Sequence, residues 1–298
     1  MHSAGKRRPK IKGELVIGQS TKKLISLKAG GLADFFAMPD DLDDLKAILM
    51  FCKEESKPFL VIGNGSKLLV RDEGFRGIIV KLGSSFKQLV EEGDEIKVGA
   101  GVDLSVLIDF AADKGLSGLE CLTGIPGTVG GGIVRNVSAF GECISNRVTW
   151  VKVLDRNNSH LVMTQKNLNF GYRTSTFFEN KNLVLLEVGL KLFPEDKAKI
   201  NARMQKATRK KLETQPISFP SAGCIFKNPS SQSAGYLIEQ SGCLGMKIGG
   251  AQVSFQHGNF IINTENAGAS DILNLINKIK KIVRAKFGIT LEPELEIV

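Results

Sequence analysis

The chain has 298 residues, of which 42% are hydrophobic and 24% charged, a composition typical of a soluble globular protein. A chain of this length can bury a sizeable core and divides most simply into two or three domains. The formal net charge is +9, with basic residues at the N-terminus and in two stretches of helical spacing, 203–211 and 277–286. Because they form no single basic face rich in aromatic residues, we expect no nucleic-acid partner, and polyanionic small molecules fit better.

The sequence predicts neither a membrane span nor secretion. The longest apolar runs are short and broken by charge, and the basic N-terminus, MHSAGKRRPKIKG, lacks the apolar stretch of a signal peptide. We therefore expect a cytoplasmic protein. The five cysteines are odd in number and include no C-x-x-C pair, which argues against a disulfide framework and against a metal site.

The elements predicted for the first 115 residues alternate between strands and helices. Apolar residues at helical spacing, preceded by aspartates that suit an N-cap, predict the first helix. In chain order, the prediction is a basic tail (1–20), a strand closed by Pro39, a helix over 42–52, two strands around a glycine turn in 59–70, strands in 74–82 and 94–101, and a helix from Asp103 that ends at Gly115.

The rest of the chain begins with a glycine-rich stretch, and the pattern of predicted elements changes near residue 215. Asp155 to Asn158 form a turn signal between two alternating runs, which predicts a hairpin over 147–163. The other predicted elements are a strand over 182–193, a helix over 197–214 that is a candidate bridge between two domains, a cysteine loop, a short helix in 234–242, a strand in 258–263, an amphipathic helix from Ser270 and a terminal strand in 291–298. This order predicts an α+β fold.

Two glycine-rich segments are candidates for binding phosphate. Gly63-Asn64-Gly65-Ser66 lies between two predicted strands, and consecutive N–H groups freed by glycine suit phosphate oxygens. It matches neither the Rossmann nor the P-loop pattern, and a tight turn between strands explains it equally well. The second segment, residues 124–132, holds five glycines. That density favours close approach of a ligand, with a crowded backbone crossing as the alternative.

Six motifs together resemble the UDP-N-acetylenolpyruvoylglucosamine reductase family, over nearly the whole chain from about Leu24. In order they are VIGNGSKLLV, GLECLTGIPGTVGGGIVRNVSAFG, FGYRTSTF, PSAGCIFKNP, LGMKIGGAQV and LEPELEIV. The spacing looks like the shorter, type II branch. The resemblance implies an FAD-binding region of the vanillyl-alcohol-oxidase (PCMH) type in two subdomains, 21–84 and 85–200. It also implies a C-terminal α+β substrate-binding domain, 201–298, whose last strand returns to the active site.

The implied activity is the NADPH-dependent reduction of UDP-N-acetylglucosamine enolpyruvate to UDP-N-acetylmuramate. This reaction belongs to bacterial peptidoglycan synthesis and so bears on the cell wall, cell shape and cell division. NADPH reduces FAD, and the flavin N5 then gives a hydride to the vinyl carbon of the substrate. Such a site needs a cation at the substrate carboxylate and a positioned proton donor. We expect a monomer whose partners are the UDP-sugar and NADPH, with no metal and no membrane contact.

The family pattern assigns binding residues to this chain. The predicted FAD contacts are Gly63, Asn64, Gly65, Ser66, Gly124, Ile125, Pro126, Gly127, Thr128, Gly130, Gly131, Asn136 and Ala139. The predicted substrate contacts are Tyr172, Arg173, Gln215, Asn228 and His257. The chain departs from the family at Lys67, where asparagine is common, and at residues 136–139, which read NVSA in place of a common NAGA. Both departures change the shape of the predicted flavin pocket.

The predicted catalytic residues are Arg173, Cys224 and Glu294. Arg173 can grip a carboxylate bidentately, although a surface ion pair would be the better interpretation without the resemblance. Glu294 is expected to orient the enolpyruvyl group, while Glu292 and Glu296 are expected to face solvent. Cys224 stands where most relatives have serine, and a thiol donates a proton readily near neutral pH.

Two other functions remain as alternatives. One is another flavoenzyme of the same FAD fold, such as an alcohol or sugar oxidase. Such oxidases often tether the flavin through histidine or cysteine, and the glycine-rich segments contain no histidine. The other is a non-catalytic flavin- or nucleotide-binding protein, for which the combination of Arg173, Cys224 and Glu294 would be coincidental.

Overall fold

The computed structural model describes residues 7–298. Its strands are Glu14–Ser20 (β1), Leu32–Met38 (β2), Phe59–Ile62 (β3), Leu68–Leu69 (β4), Phe75–Lys81 (β5), Leu89–Glu92 (β6), Glu95–Gly99 (β7), Leu116–Ser117 (β8), Ser138–Ala139 (β9), Glu142–Cys143 (β10), Val148–Leu154 (β11), His160–Thr164 (β12), Val184–Lys191 (β13), Phe193–Pro194 (β14), Ser221–Cys224 (β15), Lys247–Ile248 (β16), Ala251–Val253 (β17), Phe260–Asn263 (β18) and Glu296–Ile297 (β19). Its helices are Leu42–Glu54 (α1), Leu104–Asp113 (α2), Val129–Val134 (α3), Thr176–Glu179 (α4), Lys197–Thr214 (α5), Ala234–Gln240 (α6) and Ala269–Phe287 (α7). Among these described helices, none combines the length and apolarity needed to cross a membrane.

The first sheet has the strand order β1-β2-β5-β3, with β1 antiparallel to β2 and the other pairs parallel. The predicted basic tail therefore contains a strand, because residues 14–20 pair with β2 along its whole length. The apolar residues Leu15 and Val16 of this strand pack against the core. The first six residues of the predicted tail lie outside the described chain.

The second sheet is antiparallel, in the order β12-β11-β13-β7-β6. It confirms the predicted hairpin, since β11 and β12 pair directly. Helix α5, also predicted, lies against this part of the molecule: Arg203 donates hydrogen bonds to Glu120 (2.7 Å) and Glu195 (2.5 Å), and Met204 packs on the same core. The predicted division at residue 200 would split this helix.

The third sheet, β15-β18-β17-β16, carries α6 and α7. The predicted apolar face of α7 is buried at Ile272, Leu275, Ile276, Ile279 and Val283. Those side chains share one hydrophobic cluster with Ile25, Leu27 and Phe36, which lie in or just before β2. The C-terminal strand β19 pairs in parallel with β4, directly after the glycine turn. The end of the chain therefore lies beside the first glycine-rich segment.

Candidate active site

A cleft of about 790 Å³ opens between the two N-terminal sheets and the C-terminal sheet. Its walls include residues 63–66, most of the second glycine-rich segment, Arg173, Cys224 and Glu294. A volume of this size lies within the range of ligand and cofactor sites in proteins. The structure therefore brings both predicted phosphate-binding segments and the predicted catalytic residues to one cavity.

The first glycine turn presents unused backbone donors to this cleft. Within the described residues, the N–H groups of Asn64, Gly65 and Ser66 donate no hydrogen bond. The Asn64 side chain donates to Asp103 at 2.7 Å, which anchors the turn. A Cβ atom at Gly63 would lie 2.4 Å from Thr128 Oγ1, so glycine is required where the two segments touch. A row of free donors of this kind fits phosphate oxygens.

The second glycine-rich segment serves both packing and the cleft. Thr128 caps α3 by accepting a hydrogen bond from the N–H of Gly131 at 3.3 Å. A Cβ atom at Gly130 would meet the Ala100 carbonyl oxygen at 2.9 Å, so this glycine answers a crowded backbone contact. At Gly131 the nearest atom would be 3.6 Å away, and the residue lines the cleft. The two interpretations of the glycine density therefore apply to different glycines.

All predicted FAD contacts except Asn136 line the cleft. The Asn136 side chain is buried and bonds to the protein: its Nδ2 donates to the Gly171 carbonyl at 3.0 Å, and its Oδ1 accepts from the Ser145 N–H at 3.3 Å. Asn136 thus holds the turn that carries Arg173. The free N–H groups, the glycine walls and the volume of the cleft fit a dinucleotide such as FAD.

Arg173 sits at the tip of a tight turn in which Gly171 and Thr174 exchange backbone hydrogen bonds. Its φ of 59° is in the left-handed region, which is uncommon for a residue with a long side chain, and strained backbone of this kind is one feature of functional sites. Its Nε lies 3.5 Å from Glu294 Oε2. This Nε is buried and makes no hydrogen bond within the described residues. Because Arg173 also lines the cleft, its guanidinium is placed to meet a ligand there.

Glu294 is held next to Cys224 by pairing of the C-terminal segment with the cysteine loop. The Glu294 N–H donates to the Ile225 carbonyl at 2.7 Å, and the Lys227 N–H donates to the Glu292 carbonyl at 2.9 Å. The Glu294 side chain is only 4% exposed. Burial raises the pKa of the Cys224 thiol, and Glu294 raises it further, against the lowering effects of Lys67 and Arg173. The three predicted catalytic residues therefore form one cluster.

Lys67 belongs to the same cluster, although the sequence marked it only as a departure from the family. Its Nζ lies 3.1 Å from Glu294 Oε1 and donates to the Cys224 carbonyl at 2.5 Å. Burial lowers the pKa of Lys67, and the Glu294 carboxylate partly offsets this effect. In the sequence, the position of Lys67 directly after the glycine turn was the feature that could have placed it in this cluster.

A second ion-pair network, which the sequence did not predict, braces the C-terminal strand. Arg135 donates to the Glu294 carbonyl at 2.8 Å and to Glu296 Oε2 at 3.0 Å. Lys181 pairs with the other oxygen of Glu296 at 2.9 Å. The expectation that Glu296 faces solvent was therefore wrong, because two cations cover its carboxylate. Glu292 is 74% exposed, as expected.

The remaining predicted substrate residues are spread more widely. Gln215 lines the main cleft. Tyr172 and Asn228 line an adjoining cavity, where the Asn228 N–H donates to the tyrosine hydroxyl at 3.3 Å. His257 lines neither cavity; its Nδ1 accepts from the Asn259 N–H at 3.1 Å, and its ring packs on Phe260. A diphosphate contact by His257 stays a prediction.

Comparison with known proteins finds two family matches along the chain. Residues 33–164 match the FAD binding domain family, and residues 215–298 match the family described as UDP-N-acetylenolpyruvoylglucosamine reductase, C-terminal domain. These matches confirm the predicted α+β fold, with an FAD-binding region of the vanillyl-alcohol-oxidase type followed by a reductase C-terminal domain.

Similar proteins match over almost their full length. The UDP-N-acetylenolpyruvoylglucosamine reductase of Caldanaerobacter subterraneus subsp. tengcongensis is 41% identical over 286 residues, 96% of this chain and 94% of that protein. The reductase of Bacillus subtilis is 39% identical with the same coverage. The crystal structure of the Thermus caldophilus reductase (MurB) superposes on this one with a TM-score of 0.83, covering 96% of this chain and 99% of that one, and the two sequences are 35% identical. The chain therefore belongs to the UDP-N-acetylenolpyruvoylglucosamine reductase (MurB) family.

Proposed function

We propose that this protein is a cytoplasmic, FAD-dependent reductase that uses NADPH to convert UDP-N-acetylglucosamine enolpyruvate to UDP-N-acetylmuramate in peptidoglycan synthesis. The observation that carries the proposal is the cluster of Arg173, Cys224 and Glu294 in the wall of the glycine-lined cleft. FAD, when bound, supplies the hydride for the vinyl carbon and is itself reduced by NADPH. The C-terminal family match supports a reductase over an oxidase of the same FAD fold.

Arg173 is the group that we expect to hold the substrate carboxylate. It lines both the main cleft and the adjoining cavity, and its buried Nε has no hydrogen-bond partner within residues 7–298. Negative charge spreads into the substrate carboxylate as the vinyl carbon is reduced, so a fixed cation there stabilises the transition state more than the ground state. Glu294, 3.5 Å away, fixes the orientation of the guanidinium.

Cys224 is the group that we expect to protonate the second carbon of the enolpyruvyl ether. Because burial raises the pKa of this thiol, Cys224 keeps its proton at neutral pH and can act as the acid. The S–H bond breaks as the new C–H bond forms, and the electron pair of the S–H bond stays on sulfur. The thiolate regains a proton between turnovers.

The test of this function uses the flavin as its own indicator. We expect the purified protein to bind FAD, to lose flavin absorbance under NADPH, and to regain it anaerobically when the enolpyruvyl UDP-sugar is added. A protein that cannot be reconstituted with FAD would end the proposal. Reoxidation by oxygen but not by the UDP-sugar would instead support an oxidase of the same fold.

Lys211 gives a further prediction, because it is a cation in the cleft and no carboxylate of residues 7–298 pairs with it. Its side chain lies beside Gly124, and its ammonium donates to the Thr123 carbonyl. Within the described residues no carboxylate forms an ion pair with it, and burial lowers its pKa to about 8. An anionic ligand that contacts this ammonium would raise that pKa, so binding would favour the protonated form.

We therefore expect the dissociation constant of FAD to rise about tenfold between pH 7 and pH 9.5, as free Lys211 loses its proton. The neighbouring Cys121 does not titrate strongly in this range, because burial raises its pKa to about 11. Lys211→Met should bind FAD weakly at both pH values, and titration of flavin fluorescence measures both constants. Lys206→Met, at an exposed position on the same helix, should keep the wild-type pH dependence. An unchanged pH dependence in Lys211→Met would contradict the prediction.

A further inference from the structure

A buried lysine, Lys67, lies between Cys224 and Glu294. The Lys67 side chain is 23% exposed, and its ammonium contacts both the Glu294 carboxylate and the Cys224 carbonyl. Burying a lysine is costly unless its charge is paired. Glu294 provides one negative charge, but Arg173 also draws on that carboxylate at 3.5 Å. Two cations therefore share a single anion around the thiol.

This charge count changes when the thiol gives up its proton. The charged groups that face Cys224 are Lys67 and Arg173 from two N-terminal loops and Glu294 from the C-terminal segment. With a neutral thiol these groups sum to one positive charge. With a thiolate and no substrate they sum to zero, and a substrate carboxylate on Arg173 adds one negative charge to either count. An uncharged residue at position 67 would make the site one charge more negative at every stage, and so would oppose formation of the thiolate.

We propose that Lys67 is a positioning residue that stabilises the thiolate formed on Cys224 and holds Glu294 in place, so that lysine and cysteine act as a pair in this chain. The inference rests on the proposed function of Cys224 as the proton donor and adds a partner to it. In the proton-transfer step the S–H electrons remain on sulfur, and the adjacent ammonium neutralises the charge that they leave. In support, Lys67 lowers the pKa of the Cys224 thiol, against the larger effect of burial.

The first measurement needs no substrate. Alkylation of Cys224 by iodoacetamide in the FAD-loaded enzyme, followed by mass spectrometry across pH, reports the pKa of the thiol. An adjacent opposite charge moves a pKa by about 1 unit or more, so we expect this pKa to rise by at least about 1 unit in Lys67→Met and Lys67→Asn. Lys67→Arg should stay near wild type. Lys23→Met, an exposed lysine, controls for the loss of one positive charge from the whole protein.

The second measurement separates the two half-reactions. In Lys67→Met we expect reoxidation of the reduced flavin by the UDP-sugar to slow about tenfold or more, with reduction by NADPH within about twofold of wild type. When Cys224 is already alanine, the Lys67 substitution should have little further effect on reoxidation. An additive loss would mean that Lys67 acts through other groups.

An unchanged thiol pKa in the FAD-loaded Lys67 variants would overturn the inference. If Lys67→Met fails to bind FAD, the milder Lys67→Asn and Lys67→Arg variants decide it by the same comparison. Failure of the proposed function has a different signature, since the wild-type flavin would then not be reoxidised by the UDP-sugar while the alkylation result would still stand.

Discussion

Cys224→Ala should slow reoxidation of the reduced flavin by the enolpyruvyl substrate about 10³-fold, within the range expected for loss of a general acid. Reduction of the flavin by NADPH should stay within about twofold of wild type, because that step requires no proton from the thiol. Anaerobic stopped-flow absorbance of the flavin measures the two steps separately. Reoxidation at the wild-type rate in the alanine variant would exclude the thiol as the proton donor.

Cys224→Ser is the matched control, since its hydroxyl keeps a transferable hydrogen in nearly the same position. We expect it to retain much more activity than the alanine variant. The pH profiles should differ as well. Because the acid must be protonated and burial raises its pKa, the wild-type rate should stay flat through neutral pH and fall only at alkaline pH. The serine variant should lose that alkaline fall, since a hydroxyl does not ionise there.

The sequence predicted the elements of this fold more fully than the contacts of its centre. Periodicity and turn chemistry were sufficient for α1, α5, α7 and the β11–β12 hairpin, because each is specified by neighbouring residues. Strand β1 was missed since it follows a basic run and pairs with β2 through only moderately buried residues.

The roles of Lys67 and Arg135 depend on contacts between distant parts of the chain. Lys67 meets Glu294 because β4 and β19 pair, and no local pattern specifies that pairing. Arg135 lies within a quoted motif, but its partner Glu296 becomes visible only when the C-terminal strand is in place. Arg173, Cys224 and Glu294 were predicted by resemblance to a family and not by spacing, since 51 and 70 positions separate them along the chain.

Arg173→Met should reduce the turnover rate by about 10²- to 10³-fold, the loss typical when a donor that stabilises developing negative charge is removed. The effect should fall on the substrate half-reaction, because the guanidinium is expected to bind the enolpyruvyl carboxylate. The variant also leaves Glu294 with Lys67 as its remaining cationic partner within the described centre. Steady-state kinetics and single-turnover reoxidation of the flavin measure the loss.

Arg173→Lys tests whether charge alone is sufficient. Lysine keeps the positive charge but not the planar fork that holds a carboxylate with two hydrogen bonds, so we expect an intermediate loss of about tenfold. Arg76→Met, at a side chain that is 79% exposed, should leave both half-reactions unchanged. Equal rates for the lysine and methionine variants would show that the fork geometry, and not the charge, supplies the stabilisation. A methionine variant as fast as wild type would remove Arg173 from the catalytic centre, because the guanidinium would then have no role in binding the substrate carboxylate.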